Sequence, residues 1–416
     1  MKLAPGTSLS ASLAFDPTNP LPVARLAMDK GLAQLAWSTE VVSRQLAISP
    51  LAYPPEPGLH AARSRSFSGL HGFLTDSLPE QWGYLVLRRR LAKLGLDIAQ
   101  SSPLDLLALV GRNGRGALIF EPETTPTDEV QTLDLDALAA DAIVLLEGKD
   151  ANLADTLAKL GGGSGGTRPK VHIGFDGEGR ITVGRTETDA SQEAWIVKFR
   201  GATDPVDIGP IEEAYAQMAE AAGLTLSPHR LIAAKDGPGY FATRRFDRHQ
   251  DGKRLHMVSL AGAIETPPEL PSSYDLFLRA TKAITRRADD VIMAFRRMVF
   301  NILAHNRDDH TRQHAFLMDP SGEWRLAPAF DLTFAEGPGG EHYLDVEGEG
   351  RNPTRAHVLK LGKRHGISER RATEIIDKTQ AAIAQWPKNA GRIGVSNSSA
   401  KHVWEVLERT LKIFGA

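Results

Sequence analysis

The chain has 416 residues, with 49 lysines and arginines against 51 aspartates and glutamates, and its formal net charge is −2. It has no cysteine, so disulfides, thiol chemistry and cysteine-based zinc or iron–sulfur sites are excluded. The apolar stretches are shorter than the roughly 18 residues of a membrane span, and no apolar segment follows Lys2, so neither a membrane helix nor a signal peptide is predicted. We expect a cytoplasmic protein of two or three domains whose near-neutral charge disfavours bulk nucleic-acid binding.

The first part of the chain is predicted to change from short β-like pieces to helices. Residues 1–60 are rich in proline and small residues. Apolar spacing over 77–94 predicts an amphipathic helix, with the basic triplet 88–90 on a solvated face. Residues 131–160 also have helical spacing and lead into a glycine-rich stretch at 161–166.

Strands are predicted to follow the glycines. The first two flank a glycine-containing turn and therefore predict a β-hairpin. A helix is predicted over 212–222, with Gly223 as its stop. The predicted strands are, in chain order, 171–175, 181–184, 194–199, 230–234 and 240–246.

The chain beyond residue 271 is predicted to be mostly helical. One helix face is indicated by apolar residues at Val291, Phe295, Met298 and Ile302. This helix leads into 304–310, and a β-hairpin over 315–326 then delivers Asp331. Further helices are predicted at 368–386 and 401–414. Strands give way to helices near 260–272, where prolines cluster, so a domain boundary is predicted there.

The glycine-rich stretch has two interpretations. Gly161, Gly163 and Gly166 match G-x-G-x-x-G, but a helix precedes them and strands follow, which is the reverse of a dinucleotide-binding unit. A Walker A loop requires lysine where Thr167 stands. The stretch is therefore either a flexible linker or a loop whose backbone N–H groups approach phosphates.

Lys198 stands in an otherwise apolar predicted strand. An unpaired ammonium there would be costly, so the residue needs either water or a partner anion. It either extends to solvent at the strand edge or contacts nucleotide phosphates while a glutamate positions it. Glu212, at the start of the next helix, is the first candidate for that partner, and Glu213 is the second.

Three positions downstream have the spacing of a kinase catalytic centre. Asp308 follows an apolar helix, position 313 comes five residues later, and Asp331 follows a hairpin. In protein kinases an aspartate of the catalytic loop accepts the substrate hydroxyl proton, and residues at the two later positions bind Mg²⁺. Each aspartate alone is explained as a cap or turn residue, but the ordered set predicts phosphoryl transfer.

His310 lies two residues after Asp308, where many kinases have a lysine. A protonated imidazole there could neutralise the transferred phosphoryl group. Equally, the histidine could order the loop through backbone hydrogen bonds. No H-E-x-x-H or G-x-S-x-G motif is present, so metalloprotease and hydrolase sites of those types are not predicted.

These residues belong to a pattern found in a known family. The chain resembles the HipA family of bacterial serine/threonine kinases, the toxins of type II toxin–antitoxin modules. The blocks around Asp308 and Asp331 are the most specific, and together the matching stretches span most of the chain. They are Leu78-Pro79-Glu80 with Trp82-Gly83, Gly165 to Lys170, Val197 to Phe199, Glu212 to Tyr215 with Met218-Ala219 and Gly223, Arg245 to Arg248, Asn306 to His310, and Leu326 to Asp331.

The resemblance implies an α+β fold of the eukaryotic-protein-kinase type with two lobes. An extra N-terminal subdomain would occupy residues 1–125, the N-lobe with the glycine-rich loop 126–262, and an all-helical C-lobe 263–416. The implied cofactors are ATP and Mg²⁺. The implied catalytic residues are Asp308 as base, His310 and Lys198, and the implied metal ligands are Gln313 and Asp331.

The resemblance also implies nucleotide contacts and partners. The nucleotide would be held by Gly163, Ser164, Gly165, Gly166, Lys198 and Glu212, with Arg245, Phe246 and Asp247 as the hinge against adenine. A HipB-like helix-turn-helix antitoxin would bind the chain and supply its only link to DNA. The substrate would be a protein such as an aminoacyl-tRNA synthetase, notably the glutamyl enzyme, and no membrane partner is expected.

The chain departs from the family pattern in two places, the catalytic loop and the glycine-rich loop. Gln313 replaces the usual asparagine, and His314 replaces the usual phenylalanine. Glutamine adds one methylene, which would weaken a second site for Mg²⁺, an ion that demands near-octahedral geometry at about 2.1 Å. Gly163 stands where many members have an autophosphorylated serine, with Ser164 one residue later. Besides an active kinase toxin, a pseudokinase or ATP-binding module and a small-molecule kinase therefore remain as hypotheses.

Overall fold

The computed structural model describes residues 7–124, 134–149, 152–161, 166–176, 180–182, 192–249 and 251–415. The strands of this part are β1 (Leu9–Leu13), β2 (Leu21–Asp29), β3 (Leu32–Trp37), β4 (Leu59–Ala61), β5 (Leu118–Glu121), β6 (Lys170–Phe175), β7 (Ile181–Thr182), β8 (Glu193–Lys198), β9 (His229–Ile232), β10 (Tyr240–Arg244), β11 (His256–Ser259), β12 (Ser272–Ser273), β13 (Ala315–Met318), β14 (Trp324–Leu326) and β15 (Leu344–Asp345).

The helices of the same part are α1 (Thr39–Arg44), α2 (Gly72–Thr75), α3 (Gln81–Lys93), α4 (Pro103–Val110), α5 (Leu135–Leu146), α6 (Ala154–Gly161), α7 (Ile208–Ala221), α8 (Leu260–Ile264), α9 (Tyr274–Thr285), α10 (Ala288–Leu303), α11 (Arg355–Arg364), α12 (Glu369–Ile383), α13 (Trp386–Ile393) and α14 (Asn397–Gly415). None of these helices is both long and apolar enough to cross a lipid bilayer.

The N-terminal region is built on an antiparallel sheet with strand order β4-β3-β2-β1-β5. Strands β1 and β3 alternate between buried and more exposed residues, as a half-buried sheet requires. In β1, for example, Leu9, Ala11 and Leu13 are buried, while the serines between them are partly exposed. This alternation directs one face of the sheet into the core.

A second antiparallel sheet, with order β7-β6-β8-β10-β9, follows the glycine-rich stretch. The predicted hairpin is confirmed by the pairing of Gly174 with Thr182 and of Phe175 with Ile181. Helix α7 packs against β9 and β10, and α3 packs against α6. Lys170 lies directly opposite Lys198 in the register of β6 and β8, which places two lysines side by side at one end of the sheet.

Several predicted helix limits were wrong. The helical stretch predicted over 131–160 is two helices, α5 and α6, separated at Gly148, where φ is +83°. Helix α3 begins at Gln81 instead of residue 77, because Glu80 before it is extended. Helix α7 begins four residues before Glu212, with a proline in its first turn. Arg90 is buried and not on a solvated face.

The prediction of an all-helical C-lobe was also wrong. The predicted hairpin of β13 and β14 is present, and β11 pairs with β13 to make a three-stranded sheet. Strands β12 and β15 add a short parallel pair. A hairpin edge presents unpaired backbone groups, and β11 satisfies those of β13. Because β11 precedes residue 260, the sheet crosses the boundary predicted near 260–272.

The apolar core is shared between regions that are distant in sequence. One cluster of buried residues joins the N-terminal sheet, α7 and the C-terminal helices. A second cluster fills the space between the second sheet and helices α3, α5 and α6. Helix α3, from the N-terminal region, therefore contributes Trp82 and Val86 to the core of the second sheet.

Candidate active site

A cleft of about 1090 Å³ lies between the second sheet and the C-terminal region. Strand β8, helix α7, the loop after α10 and the segment after β14 each contribute to its wall. Predicted site residues that line it are Gly166, Lys198, Glu212, Arg245, Phe246, Asp247, Asp308, His310, Gln313 and Asp331. The predicted residues Gly163, Ser164 and Gly165 lie outside the described residues.

Lys198 is the last residue of β8 and is buried at the base of the cleft. Its Nζ lies 3.2 Å from Glu212 Oε1 and 2.5 Å from Asp331 Oδ1. The partner from α7 is thus Glu212, whereas the second candidate, Glu213, bonds His229 Nδ1 at 2.8 Å on the far side of the helix. The charge of the buried ammonium is compensated by two carboxylates, which removes the cost of burying it alone.

Asp331 lies five residues after β14 with a φ of +53°, a conformation that non-glycine residues seldom adopt. Such strain is typical of functional sites. Burial alone would raise the pKa of its carboxyl, but Lys198, Lys170 and Arg168 hold that pKa well below its usual range. The carboxylate is therefore ionised and surrounded by cations.

Asp308 lies on the loop that leaves α10 and is exposed to the cleft. Desolvation in the cleft raises the pKa of its carboxyl, and the negative charge of Asp331 adds to that effect. The amide Nε2 of Gln313 donates a hydrogen bond of 3.5 Å to Asp308 Oδ2. A carboxylate with a raised pKa and an exposed face suits proton abstraction.

His310 uses its two ring nitrogens differently. Its Nδ1 accepts a hydrogen bond from the backbone N–H of Arg312 at 3.2 Å, which orders the loop. Its Nε2 lies 3.8 Å from Asp308 Oδ1 and faces the cleft. The geometry therefore accommodates both interpretations of this histidine.

Asp309, the residue after Asp308, is fully buried. Its carboxylate accepts hydrogen bonds from the hydroxyl of Tyr274 at 2.6 Å and the backbone N–H of Tyr343 at 2.8 Å, and it bonds His342 Nδ1 at 2.8 Å. Although burial raises its pKa, His342 and these hydrogen bonds lower it below the ordinary value. Asp309 thus anchors the loop that presents Asp308.

Two of the three predicted hinge residues use their side chains in buried polar contacts. Arg245 and Asp247 form a buried ion pair at 2.8 Å, and Asp247 also accepts from the backbone N–H of Gly116 at 2.7 Å. These polar groups tie the second sheet to the N-terminal region. The ring of Phe246, 5.6 Å from that of Phe330, is left as the apolar surface of this segment at the cleft.

Several cations of the cleft were not predicted as site residues, among them Arg168 and Lys170. Arg168 bridges Asp204 Oδ2 and Glu212 Oε1, both at 3.0 Å. Lys170 is buried next to Gly166, with its Nζ 2.7 Å from where a Cβ on that glycine would lie. Burial lowers the pKa of its ammonium. The common signal of Arg168 and Lys170 in the sequence is the Arg-Pro-Lys run directly after the glycines.

Comparison with family models decides the relationship of the chain. A model of the HipA N-terminal domain matches residues 18–121, and a model of the HipA-like C-terminal domain matches residues 162–386, more than half of the chain. The chain belongs to the HipA family. The chain is also 25% identical over 379 residues to the Sinorhizobium fredii protein Y4mE, which has a provisional kinase name; the match covers 79% of this chain and 82% of that one.

A solved HipA structure shares the fold of this chain. The HipA chain in a Shewanella oneidensis complex of HipA, HipB and operator DNA superposes with a TM-score of 0.68 at 16% identity, covering 97% of this chain and 96% of that one. A Helicobacter pylori proinflammatory kinase, CtkA, matches with a TM-score of 0.38 at 17% identity over 53% of this chain and 88% of its own. The predicted membership of the HipA family is confirmed, and the fold is mixed α/β like that of HipA.

Proposed function

We propose that this HipA-family protein is an ATP- and Mg²⁺-dependent serine/threonine protein kinase with two kinase-like lobes. The observation that supports this most strongly is the arrangement of Lys198 between Glu212 and Asp331, with Asp308 exposed in the same cleft. Four separate elements supply these side chains, so their meeting is not a consequence of local sequence. Phosphoryl transfer needs such positioned charge and little covalent chemistry from the protein.

Each residue has a role in this proposal. Lys198, held by Glu212, binds and orients the nucleotide phosphates, with Lys170 as a second cation nearby. Asp308 accepts the proton of the substrate hydroxyl, and its raised pKa brings it closer to the strength of a general base. Catalysis should therefore weaken as the pH falls through that raised pKa, because protonated Asp308 cannot accept a proton.

The donors in the cleft fit Mg²⁺. Asp331 offers an ionised carboxylate and Gln313 an amide oxygen, and hard oxygen ligands are those that Mg²⁺ prefers. Among the described residues no group of three or more His, Cys, Asp or Glu could hold a metal, so phosphate and water oxygens would complete the shell. When bound, the ion would neutralise charge on the phosphates.

The proposal extends to partners. The Shewanella oneidensis neighbour is a complex with HipB and operator DNA, which supports a HipB-like helix-turn-helix antitoxin as the partner of this chain. With a net charge of −2, this chain would reach DNA through that partner. The protein substrate is proposed to be an aminoacyl-tRNA synthetase, phosphorylated in the cytoplasm.

The test is Asp308→Asn in a transfer assay with γ-labelled ATP, Mg²⁺ and a bacterial lysate, followed by phosphoamino-acid analysis. We expect transfer to serine or threonine to fall by about 10²–10⁴-fold, the usual contribution of a general base. Asp319→Asn, in the exposed turn between β13 and β14, is the matched control. Undiminished transfer by Asp308→Asn would remove Asp308 from its assigned role.

A second function, an ATP-binding pseudokinase, is favoured by one observation. Gln313 has a longer arm than asparagine, and its amide nitrogen donates to the base Asp308. A chain weakened in this way binds ATP but transfers little phosphate. Gln313→Asn distinguishes the two functions, because a gain of activity in this variant shows that the native residue limits catalysis, whereas a loss shows that Gln313 serves an active site.

A further inference from the structure

Glu80 and Trp82, at the start of α3, contact Gly166 at the exit of the glycine-rich stretch. The backbone N–H of Gly166 donates to Glu80 Oε2 at 2.5 Å, and its carbonyl accepts from the backbone N–H of Trp82 at 3.3 Å. The indole Nε1 of Trp82 donates to the carbonyl of Lys170 at 3.0 Å. On the entry side, a Cβ on Gly161 would lie 2.9 Å from that same indole nitrogen. Residues at the start of α3 therefore bond the exit of the stretch at Gly166 and lie close to Gly161 at its entry.

The other carboxylate oxygen of Glu80 faces the catalytic loop. Glu80 Oε1 lies 2.7 Å from Arg115 Nη2 and 3.4 Å from Arg312 Nη1. Arg312 stands between His310 and Gln313 in sequence. Burial raises the pKa of Glu80, but Arg115 and Arg312 outweigh that effect and lower it to about 2, so the carboxylate is ionised.

Arg115 is itself fixed within the N-terminal region. Its Nε donates to the carbonyl of Asp76 at 2.8 Å, and the next residue, Gly116, donates to the buried carboxylate of Asp247 at 2.7 Å. The position of Glu80 therefore depends on Arg115, which is bonded to the N-terminal region at Asp76 and is followed by Gly116, a partner of Asp247 in the lobe that holds Lys198. One carboxylate connects the glycine-rich stretch, through Gly166, with the catalytic loop, through Arg312.

We propose that Glu80 is a positioning residue that holds Gly166, at the exit of the glycine-rich stretch, in register with Arg312 on the loop that follows Asp308. The proposal rests on the proposed kinase function, because register matters only if phosphate held at one loop reacts at the other. Transfer requires the reacting groups to be aligned closely, and a displacement of about 1 Å can cost roughly 100-fold in rate. Glu80 acts through Gly166 on phosphate binding and through Arg312 on the base.

The first variant is Glu80→Gln, which keeps the shape of the side chain and removes its charge. We expect kcat/KM for ATP, measured per folded enzyme, to fall by about tenfold or more, with a higher KM and a lower kcat. The melting temperature should fall as well, because the buried Arg115 loses its anionic partner. Asp155→Asn is the matched control, since it removes the exposed pair of Asp155 with Lys93 at the other end of α3. It should leave both constants unchanged.

A double-mutant cycle with Arg312→Gln separates positioning from mere stability. The losses in kcat of Glu80→Gln and Arg312→Gln should not multiply, because both break the same link. The rise in KM caused by Glu80→Gln should persist in the Arg312→Gln background, because that effect passes through Gly166. A purely structural role would lower the amount of folded enzyme and leave KM unmoved.

Several outcomes overturn the proposal. The proposal is wrong if kcat and KM of Glu80→Gln stay within about twofold of the wild-type values. It is also wrong if the losses in kcat multiply in the double mutant. If Glu80→Gln does not fold, Arg312→Gln alone decides, and a kcat equal to that of the wild type overturns the link. Absence of transfer by the wild type overturns the proposed function instead. Binding of a fluorescent ATP analogue then tests Glu80, with weaker binding by Glu80→Gln in favour and equal binding against.

Discussion

Two adjacent carboxylates, Asp308 and Asp309, have opposite environments. Asp308 is exposed to the cleft with a raised pKa, whereas Asp309 is buried with a lowered one. Pairs of titratable groups whose environments separate their pKa values commonly divide chemical from structural work. Here Asp308 is available for proton transfer and Asp309 holds the loop.

The stability of the protein should depend on Asp309 far more than on Asp308. Asp309→Ala leaves three buried donors unpaired, from Tyr274, His342 and Tyr343, and we expect it to lower the free energy of unfolding by about 3–5 kcal/mol. Asp308→Ala removes an exposed group and should change it by about 0.5 kcal/mol or less. Urea denaturation of both variants measures the difference. Equal stability of the two variants would contradict the anchoring role.

At the scale of elements, α7 joins three parts of the molecule. Successive residues on a helix point about 100° apart, so neighbouring glutamates face different partners. Glu212 faces Lys198 in the cleft, and Glu213 faces His229 on β9. The hydroxyl of Tyr215 donates to the carbonyl of Ala304, at the end of α10, at 2.9 Å. The position of Glu212 in the cleft therefore depends on contacts made by the rest of the helix.

The contact between α7 and β9 predicts a dependence of stability on pH. Burial would lower the pKa of His229, but Glu213 and Glu220 raise it above the ordinary value. A raised folded pKa stabilises the protein fully below the unfolded pKa of about 6.5, and this contribution is lost as the pH rises through the folded pKa.

Thermal denaturation between about pH 5 and pH 9 tests this sign. The melting temperature of the wild type should exceed that of His229→Gln most at the acid end, and the difference should shrink above the unfolded pKa. His402→Gln, at an exposed position on α14, is the control and should follow the wild type. A difference that grows as the pH rises would contradict the assigned ion pair.

At the scale of the whole molecule, the N-terminal region is part of one structure with the C-terminal region. Asp76 accepts hydrogen bonds from both the backbone N–H and the hydroxyl of Ser259, each at 2.6 Å. The indole of Trp324 donates to the carbonyl of Ala47 at 3.2 Å. With a shared apolar cluster behind these contacts, neither region has a complete core of its own.

We therefore expect a single cooperative unfolding transition. A fragment of residues 126–416 should aggregate or remain unfolded, because it exposes the apolar face that the N-terminal sheet covers. Calorimetry of the full chain and circular dichroism of the fragment measure this. A fragment that melts cooperatively and binds nucleotide would contradict the shared core.

Much of the candidate site was accessible from the sequence because it follows local rules. The spacing of Asp308, Gln313 and Asp331 depends on a loop and a hairpin, and the hairpin is confirmed. Lys198 and Glu212 were paired by the cost of burying a lone ammonium, and they are 3.2 Å apart. The start of α3 and the burial of Arg90 were predicted wrongly, because helical spacing does not reveal what packs against each face.

By itself, then, the 416-residue, cysteine-free sequence determined the order of most elements and several charged residues of the cleft, since periodicity and spacing are properties of neighbouring residues. Its motifs carried the resemblance to the HipA family. Only the tertiary structure decided which distant groups meet. Glu80 contacts Arg115 across 35 positions and Gly166 across 86. Such contacts are selected by the packing of two sheets and a shared core, and no local pattern of residues encodes them.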